Sequence, residues 1–238
     1  MKGCFSVLIF LIAIAAAVFL SNDYGKKLTF LKGELYYTDP VKEEEAKKVG
    51  KILQEEGYFN NKRRVSVQLK KEKKQYQLRF VVTPEAIQEK KYHLSFAYIG
   101  GKIAQKALQQ APLVVHLCDE KLKTKQTVQP FYTKQFSNTE IAYYPSTPLK
   151  TVDKIGAVFQ NIWNGSIFLE EKNNQITVWP RFVSKEKALK AKPIAQAIAH
   201  KLQTLFPPKK VQVILTDRYL EEKFLKIQPL PPTPQSEK

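Results

Sequence analysis

Two stretches of this chain follow one pattern. Val115-His116-Leu117-Cys118-Asp119-Glu120-Lys121-Leu122 and Val213-Ile214-Leu215-Thr216-Asp217-Arg218-Tyr219-Leu220 each run as an apolar strand, stop at an Asp and resume with a Leu three residues later. A landmark repeated in this way means that one supersecondary unit is built twice, which restricts the fold more than any single motif does. Other landmarks fall into the same alignment. Ala142-Tyr143-Tyr144 matches Leu35-Tyr36-Tyr37, Thr147-Pro148 matches Asp39-Pro40, Ile155-Gly156 matches Val49-Gly50, and Phe159 matches Leu53. Ser166, Leu169, Gln175 and Val178 follow Ser66, Leu69, Gln75 and Leu78 at a constant offset of 100.

Within the first copy, residues 33–38 have the aromatic and Thr content of a strand. Asp39 and Pro40 suit a helix cap and first helical position, and Ala46, Val49, Ile52 and Leu53 share one face before Gly57. Val65, Val67 and Leu69 alternate with polar residues, as do Tyr76, Leu78, Phe80 and Val82, so a hairpin is expected across residues 70–75. A second helix carries Phe96, Ile99, Ile103, Ala107 and Leu108, and Pro112 ends it ahead of a strand over 113–118. The second copy repeats this order, with Asn173-Asn174 as its hairpin turn and Pro207-Pro208 closing a helix through Ile194, Ile198, Leu202 and Leu205. The expected class is α+β: two tandem ferredoxin-like β-α-β-β-α-β repeats, each a four-stranded antiparallel sheet with two helices on one face, after an N-terminal transmembrane helix. The boundaries are 1–22 for the anchor, 33–128 and 139–227 for the repeats, and 228–238 for a Pro-rich, extended tail that solvent surrounds.

Residues 3–20 carry no charge, and as a helix they would span roughly 27 Å, close to a bilayer core. Ala15-Ala16-Ala17 is the one small-residue cluster that could mark a cleaved signal, but Val18-Phe19-Leu20 follows it, so a retained single-pass anchor is expected. Lys2 lies on one side of this segment and Lys26, Lys27 and Lys32 on the other, which leaves the side of the folded part open. With 43% hydrophobic residues in 238 the chain can bury a core, and a formal charge of +17 draws it toward polyanions such as phosphate backbones or anionic lipid.

Catalytic and metal signatures are sparse. The three histidines, His93, His116 and His200, have no Cys or second His at ligand spacing, and only Cys4 and Cys118 are present, so neither a zinc site nor an internal disulfide of the folded part is expected. His116 and Cys118 share a strand face, yet Ile214 and Thr216 hold those places in the second copy, which points to packing. Asp119 and Asp217 recur at strand ends without a partner acid or base and are expected to cap turns. No nucleophile elbow, phosphate-binding Gly loop or metalloprotease His pair occurs, and no cofactor is expected. The strongest charge cluster is residues 62–79, where eight basic side chains meet one acid, Glu72. From it Lys62, Arg63, Arg64, Lys70, Lys71, Lys73 and Lys74 are the candidate anion-binding residues. RNA-recognition modules use the same element order and stack bases on sheet aromatics, for which Tyr36, Tyr76 and Phe80 are candidates, although apolar alternation marks such residues as core.

Glu34-Leu35-Tyr36-Tyr37-Thr38, the helix through Glu43-Glu44-Glu45-Ala46-Lys47-Lys48-Val49-Gly50, Gly57-Tyr58-Phe59, and residues 115–122 resemble a group of uncharacterised bacterial proteins that are often membrane-anchored. The resemblance implies a bacterial source and carries no activity and no functional residue. The expected function is a membrane-anchored, non-catalytic binding or scaffolding module, its basic loops against anionic lipid and its sheets offered to a protein partner. The alternative is a tandem nucleic-acid-binding module, and a third reading is a hydrolase using Asp119 and Asp217.

Overall fold

The computed structural model describes residues 24–217 and 219–229. Its elements run β1 (Lys26–Phe30), β2 (Gly33–Tyr37), α1 (Glu43–Glu55), β3 (Val65–Glu72), β4 (Gln75–Val81), α2 (Pro84–Gln88), α3 (Lys90–Lys106), β5 (Leu113–Cys118), β6 (Thr124–Val128), β7 (Tyr132–Phe136), β8 (Thr139–Tyr143), α4 (Leu149–Phe159), β9 (Gly165–Lys172), β10 (Gln175–Phe182), α5 (Lys185–Lys190), α6 (Lys192–Leu205), β11 (Lys210–Asp217) and β12 (Lys223–Ile227). They form two six-stranded mixed sheets, ordered β1-β2-β3-β4-β5-β6 and β12-β11-β10-β9-β8-β7. The first unit comprises the described residues up to Gln88 with Lys102–Val128, and the second comprises Glu89–Gly101 with the described residues from Gln129 onward. The division therefore falls inside α3. Among the described residues no helix is long and apolar enough to cross a membrane. The expected span, residues 3–20, lies outside the described residues, as does most of the Pro-rich tail.

The α+β class and the duplication stand, and the ferredoxin-like expectation is corrected. In a split βαβ unit another strand lies between the two that the helix connects. Here β2 pairs directly and in parallel with β3, Leu35 opposite Val67, and β4 pairs in parallel with β5, Leu78 opposite Val115. The second sheet repeats this with Ile141 opposite Ile167 and Val178 opposite Val213. Each copy also gains an outer strand at either end, antiparallel to its neighbour: β1 and β6 in one sheet, β7 and β12 in the other. These four strands carry Lys26 and Lys27, Lys125, Lys134, and Lys223 and Lys226. Charged edges resist pairing with another chain, and the same lysines erase the alternation by which a strand is read.

One face of each sheet packs under helices. In the first unit Leu35, Tyr37, Val67, Leu69, Leu78, Phe80 and Val115 are buried, as are Ala46, Val49, Ile52 and Leu53 of α1. Helix α1 begins three residues after Asp39-Pro40, with the Lys42 N–H donating to Glu45 Oε2 at 2.9 Å, so the expected Asp39 cap is replaced by Glu45. In the second unit the corresponding cluster joins Ile141, Ile167, Val178 and Val213 to Val152, Ile155 and Phe159 of α4 and to Ile198 and Leu202 of α6. Thr147-Pro148 stands immediately before α4.

The repeat reaches fine detail. Gly50 leaves room for the Phe30 ring and Gly156 for the Phe136 ring; an added Cβ would lie 2.2 Å and 2.3 Å from ring carbons. The β5–β6 and β11–β12 pairs both shift register, between Leu117 and Cys118 and between Leu215 and Thr216, and Leu122 and Leu220 both take positive φ, 57° and 58°. The ladders also correct the alignment of Leu35-Tyr36-Tyr37 by one residue. Gly33 faces Val65 and Thr139 faces Gly165, so Tyr37 corresponds to Tyr143 and not to Tyr144. A one-residue slip exchanges the two faces of a strand, and the buried Tyr37 and Tyr143 both belong to the helix side.

The opposite faces differ. On the second sheet Phe168 contacts Trp179, Tyr144 and Phe131 at centroid distances of 5.6, 5.2 and 5.6 Å. On the first sheet the face bears Glu34, Tyr36, Gln68, Arg79 and His116, over which Tyr24 lies: its carbonyl accepts from Gln68 Nε2 at 3.0 Å and its ring meets Tyr36 edge-on at 5.2 Å.

Candidate anion-binding site

The β3–β4 hairpin divides the basic cluster. Lys62, Arg63 and Arg64 are exposed in the loop before β3, where Asn60 Oδ1 accepts the Lys62 and Arg63 N–H groups at 2.8 and 3.4 Å. Lys73 and Lys74 form the two-residue turn at the far end of the same strand, roughly 23 Å away at about 3.3 Å per residue. The seven candidates are therefore not one site. Lys70 lies opposite Gln77 in the ladder, at the turn end. Arg79 lies in mid-sheet opposite Gln68, and its guanidinium donates to the Leu122 carbonyl.

At the turn end the side chains are organised. Lys71 Nζ donates to Tyr76 Oη at 2.9 Å and sits 4.6 Å from the ring centroid. Tyr76 Oη donates to Glu45 Oε1 at 2.7 Å, so a helix carboxylate holds the phenol that holds the ammonium. Burial pushes the Glu45 carboxyl up, but the Tyr76 and Lys42 donors outweigh it and the result lies below the usual range. The Tyr76 hydrogen bond raises the Lys71 pKa, which keeps that side chain charged at neutral pH. These groups, with Lys48 of α1 and Lys73 and Lys74 of the turn, line a concavity of about 430 Å³ closed by residues 107–111 after α3. Among the described residues Lys48, Lys73 and Lys74 have no acidic partner within ion-pair distance. Lys48 escapes a reading based on sequence runs because it comes from another element; its spacing of three from Glu45 on α1 is the one trace of it.

The other candidates have structural roles. Asp119 Oδ1 accepts the N–H groups of Lys121 and Lys123 at 3.1 and 2.9 Å, and Oδ2 pairs with Lys125 at 3.1 Å. The Lys123 N–H in particular holds its carboxyl below the usual range, the wrong direction for a general base at neutral pH. Asp217 Oδ1 accepts from the Glu221 and Glu222 N–H groups at 2.7 and 3.1 Å, so both copies use the Asp to close a turn. Beside Asp119 lies a larger, mostly apolar concavity of about 590 Å³ among Val82, Pro84 and Ile87. Cys118 is fully buried, its Sγ 3.8 Å from Thr124 Oγ1, and burial raises its thiol pKa; His116 Nδ1 lies 3.5 Å from Thr127 Oγ1 instead. Among the described residues no group of three or more His, Cys, Asp or Glu could hold a metal. Tyr76 and Phe80 are core residues, 3% and 0% exposed, so a base-stacking platform would retain only Tyr36, whose hydroxyl donates to Glu34 at 3.0 Å.

Residues 27–130 match the model of a family N-terminal domain, AF_1994_N, an uncharacterised family. The matched stretch takes in the first sheet and the whole candidate site and leaves the second copy outside it. No curated protein and no solved structure matches the chain.

Proposed function

We propose that this chain is a non-catalytic binding module, held at a membrane by residues 3–20 as a single-pass anchor, whose first unit applies its basic hairpin turn to anionic lipid while a protein partner docks elsewhere. One observation carries the reading: Lys73 and Lys74 lie at a turn with Lys48 and Lys71 beside them, and among the described residues Lys48, Lys73 and Lys74 have no acid within ion-pair distance. Juxtamembrane lysines contribute about 1 kcal/mol each at an anionic surface. The lysine-bearing edge strands favour loops and faces over strand addition as the docking mode.

The test compares the full chain with a variant lacking residues 1–22. The full chain should stay with membranes through a high-salt wash. The shortened chain should bind vesicles containing phosphatidylglycerol only at low salt and should ignore phosphatidylcholine vesicles. Salt-resistant membrane association of the shortened chain would show that residues 3–20 are not what holds the protein there.

A further inference from the structure

Comparison of the two copies at the hairpin turn isolates something that the fold does not need. On α1 and α4 corresponding positions differ by 106, which places Thr151 where Glu45 stands and Lys154 where Lys48 stands; on the hairpins they differ by 100, which places Glu171, Asn173, Asn174 and Ile176 at Lys71, Lys73, Lys74 and Tyr76. The second copy neutralises itself there. Glu171 accepts from Thr151 Oγ1 at 2.8 Å and forms an ion pair with Lys209. The first copy does the reverse, setting Lys48, Lys71, Lys73 and Lys74 around a single carboxylate, Glu45. The same turn closes with two asparagines at φ 50° and 58°, or with Lys73 at φ 55°, a region in which asparagine is comfortable and lysine is not. Folding alone would favour the neutral, asparagine-bearing version, so Lys71, Lys73 and Lys74, which the second copy lacks, mark a binding requirement, and Lys48, kept as Lys154 in the second copy, adds its charge beside them.

We propose that the concavity bounded by Lys48, Lys71, Lys73, Lys74 and Tyr76 is a phosphate-binding site, taking a phosphomonoester or pyrophosphate group from a lipid headgroup or from a free phosphorylated compound. The inference rests on the anionic-surface reading above and sharpens it. A dianionic phosphate answers the excess of four ammonium groups over one carboxylate, and lysines meet it as charged donors that rotate to several oxygens. The concavity, at about 430 Å³, has room for such a group and its immediate substituent. Tyr76 is a positioning residue. Its ring belongs to the core, while its hydroxyl accepts from Lys71 Nζ and donates to Glu45 Oε1; with Oε2 already accepting the Lys42 N–H, both oxygens of the one lining carboxylate are engaged by the protein.

The experiment uses the full chain in a zwitterionic detergent, titrated calorimetrically with inorganic pyrophosphate and, separately, with micelles doped with phosphatidic acid or, at equal charge, phosphatidylglycerol. The main variant is Lys73→Asn with Lys74→Asn, the second copy's own turn residues, so that loss of fold does not confuse the result. The control is Arg63→Ala with Arg64→Ala at the other end of β3. The lysine pair should weaken pyrophosphate or phosphatidic acid binding about tenfold or more, as expected when charge-assisted hydrogen bonds to the anion are lost. The arginine pair should leave it within about twofold, as expected for exposed charges distant from the ligand. Tyr76→Phe, which keeps the ring, should also weaken binding. Pyrophosphate binding without a preference for phosphatidic acid would identify a free compound as the source, and the opposite pattern a headgroup. Equal losses from the lysine and arginine pairs would overturn the site while leaving contact with anionic surfaces intact. Failure to bind any of these anions at low salt would overturn both.

Discussion

At the scale of single residues, His116 shows what half-burial without an acid does. Burial lowers its pKa first and the Arg79 guanidinium opposite it in the ladder lowers it further, against a weaker pull from Glu72, while Thr127 Oγ1 offers a neutral partner. The folded-state pKa therefore lies below the ordinary histidine value of about 6.5, and the unfolded chain binds the proton first as pH falls. The stability that this arrangement contributes is complete above about 6.5 and is lost as pH drops through the folded-state value. Urea midpoints measured at neutral and mildly acidic pH should show a decline that His116→Gln makes shallower; an unchanged slope would mean that His116 does not titrate with folding. Two aromatics set a second comparison. Phe80→Ala should cost about 3–5 kcal/mol of stability, as expected for a fully buried Phe, whereas Tyr36→Ala on the half-open face should cost far less. Equal and small losses would reopen the stacking-platform reading. Tyr76 and Phe80 were recognisable as core from alternation alone; that Tyr36 faces the other way follows from the same alternation and needed only the strand's register.

At the scale of elements, the central strands and the long helices were legible and the edges were not. The four strands missing from the sequence reading are the four at the sheet margins, where one side of the backbone goes unpaired and lysines stand in place of apolar side chains. Gly33 to Tyr37 reads as a strand because its aromatic residues suit a pleated surface; Lys26 to Phe30 reads as a linker because it opens on two lysines. The candidate site was half legible for a related reason. The run Lys70 to Lys74 is visible in one line of sequence, whereas Lys48 and Glu45 arrive from a helix whose placement depends on a crossover connection. Helix α3 yields a further prediction. A Cβ on Gly101 would stand 1.7 Å from the Phe131 carbonyl oxygen, a backbone atom that cannot turn aside as a side chain would. Gly101→Ala should destabilise the protein by about 1–3 kcal/mol through forced backbone shifts, to be read from thermal or urea unfolding. A change within about 0.5 kcal/mol, the range of an ordinary surface substitution, would mean that the helix and residues 129–131 adjust freely.

At the scale of the whole molecule, duplication was the strongest signal and strand pairing the weakest. Chain order is written in the punctuation of caps, turns and prolines, which recurs through both copies. Which strands become neighbours is decided by how each connecting helix crosses its sheet, and the same β-α-β-β-α-β order serves split and direct pairings alike. The direct pairing has a kinetic side. Because every strand in both sheets pairs with the strand before or after it in the chain, no contact within a sheet waits for a distant segment to be synthesised. A topology of low contact order folds quickly for its size, and strands can zip up in the order in which they leave the ribosome. Growth by successive addition from the amino end leaves few exposed strands at any moment, and the last edge to form, Lys223–Ile227, already carries its own charges against misassembly.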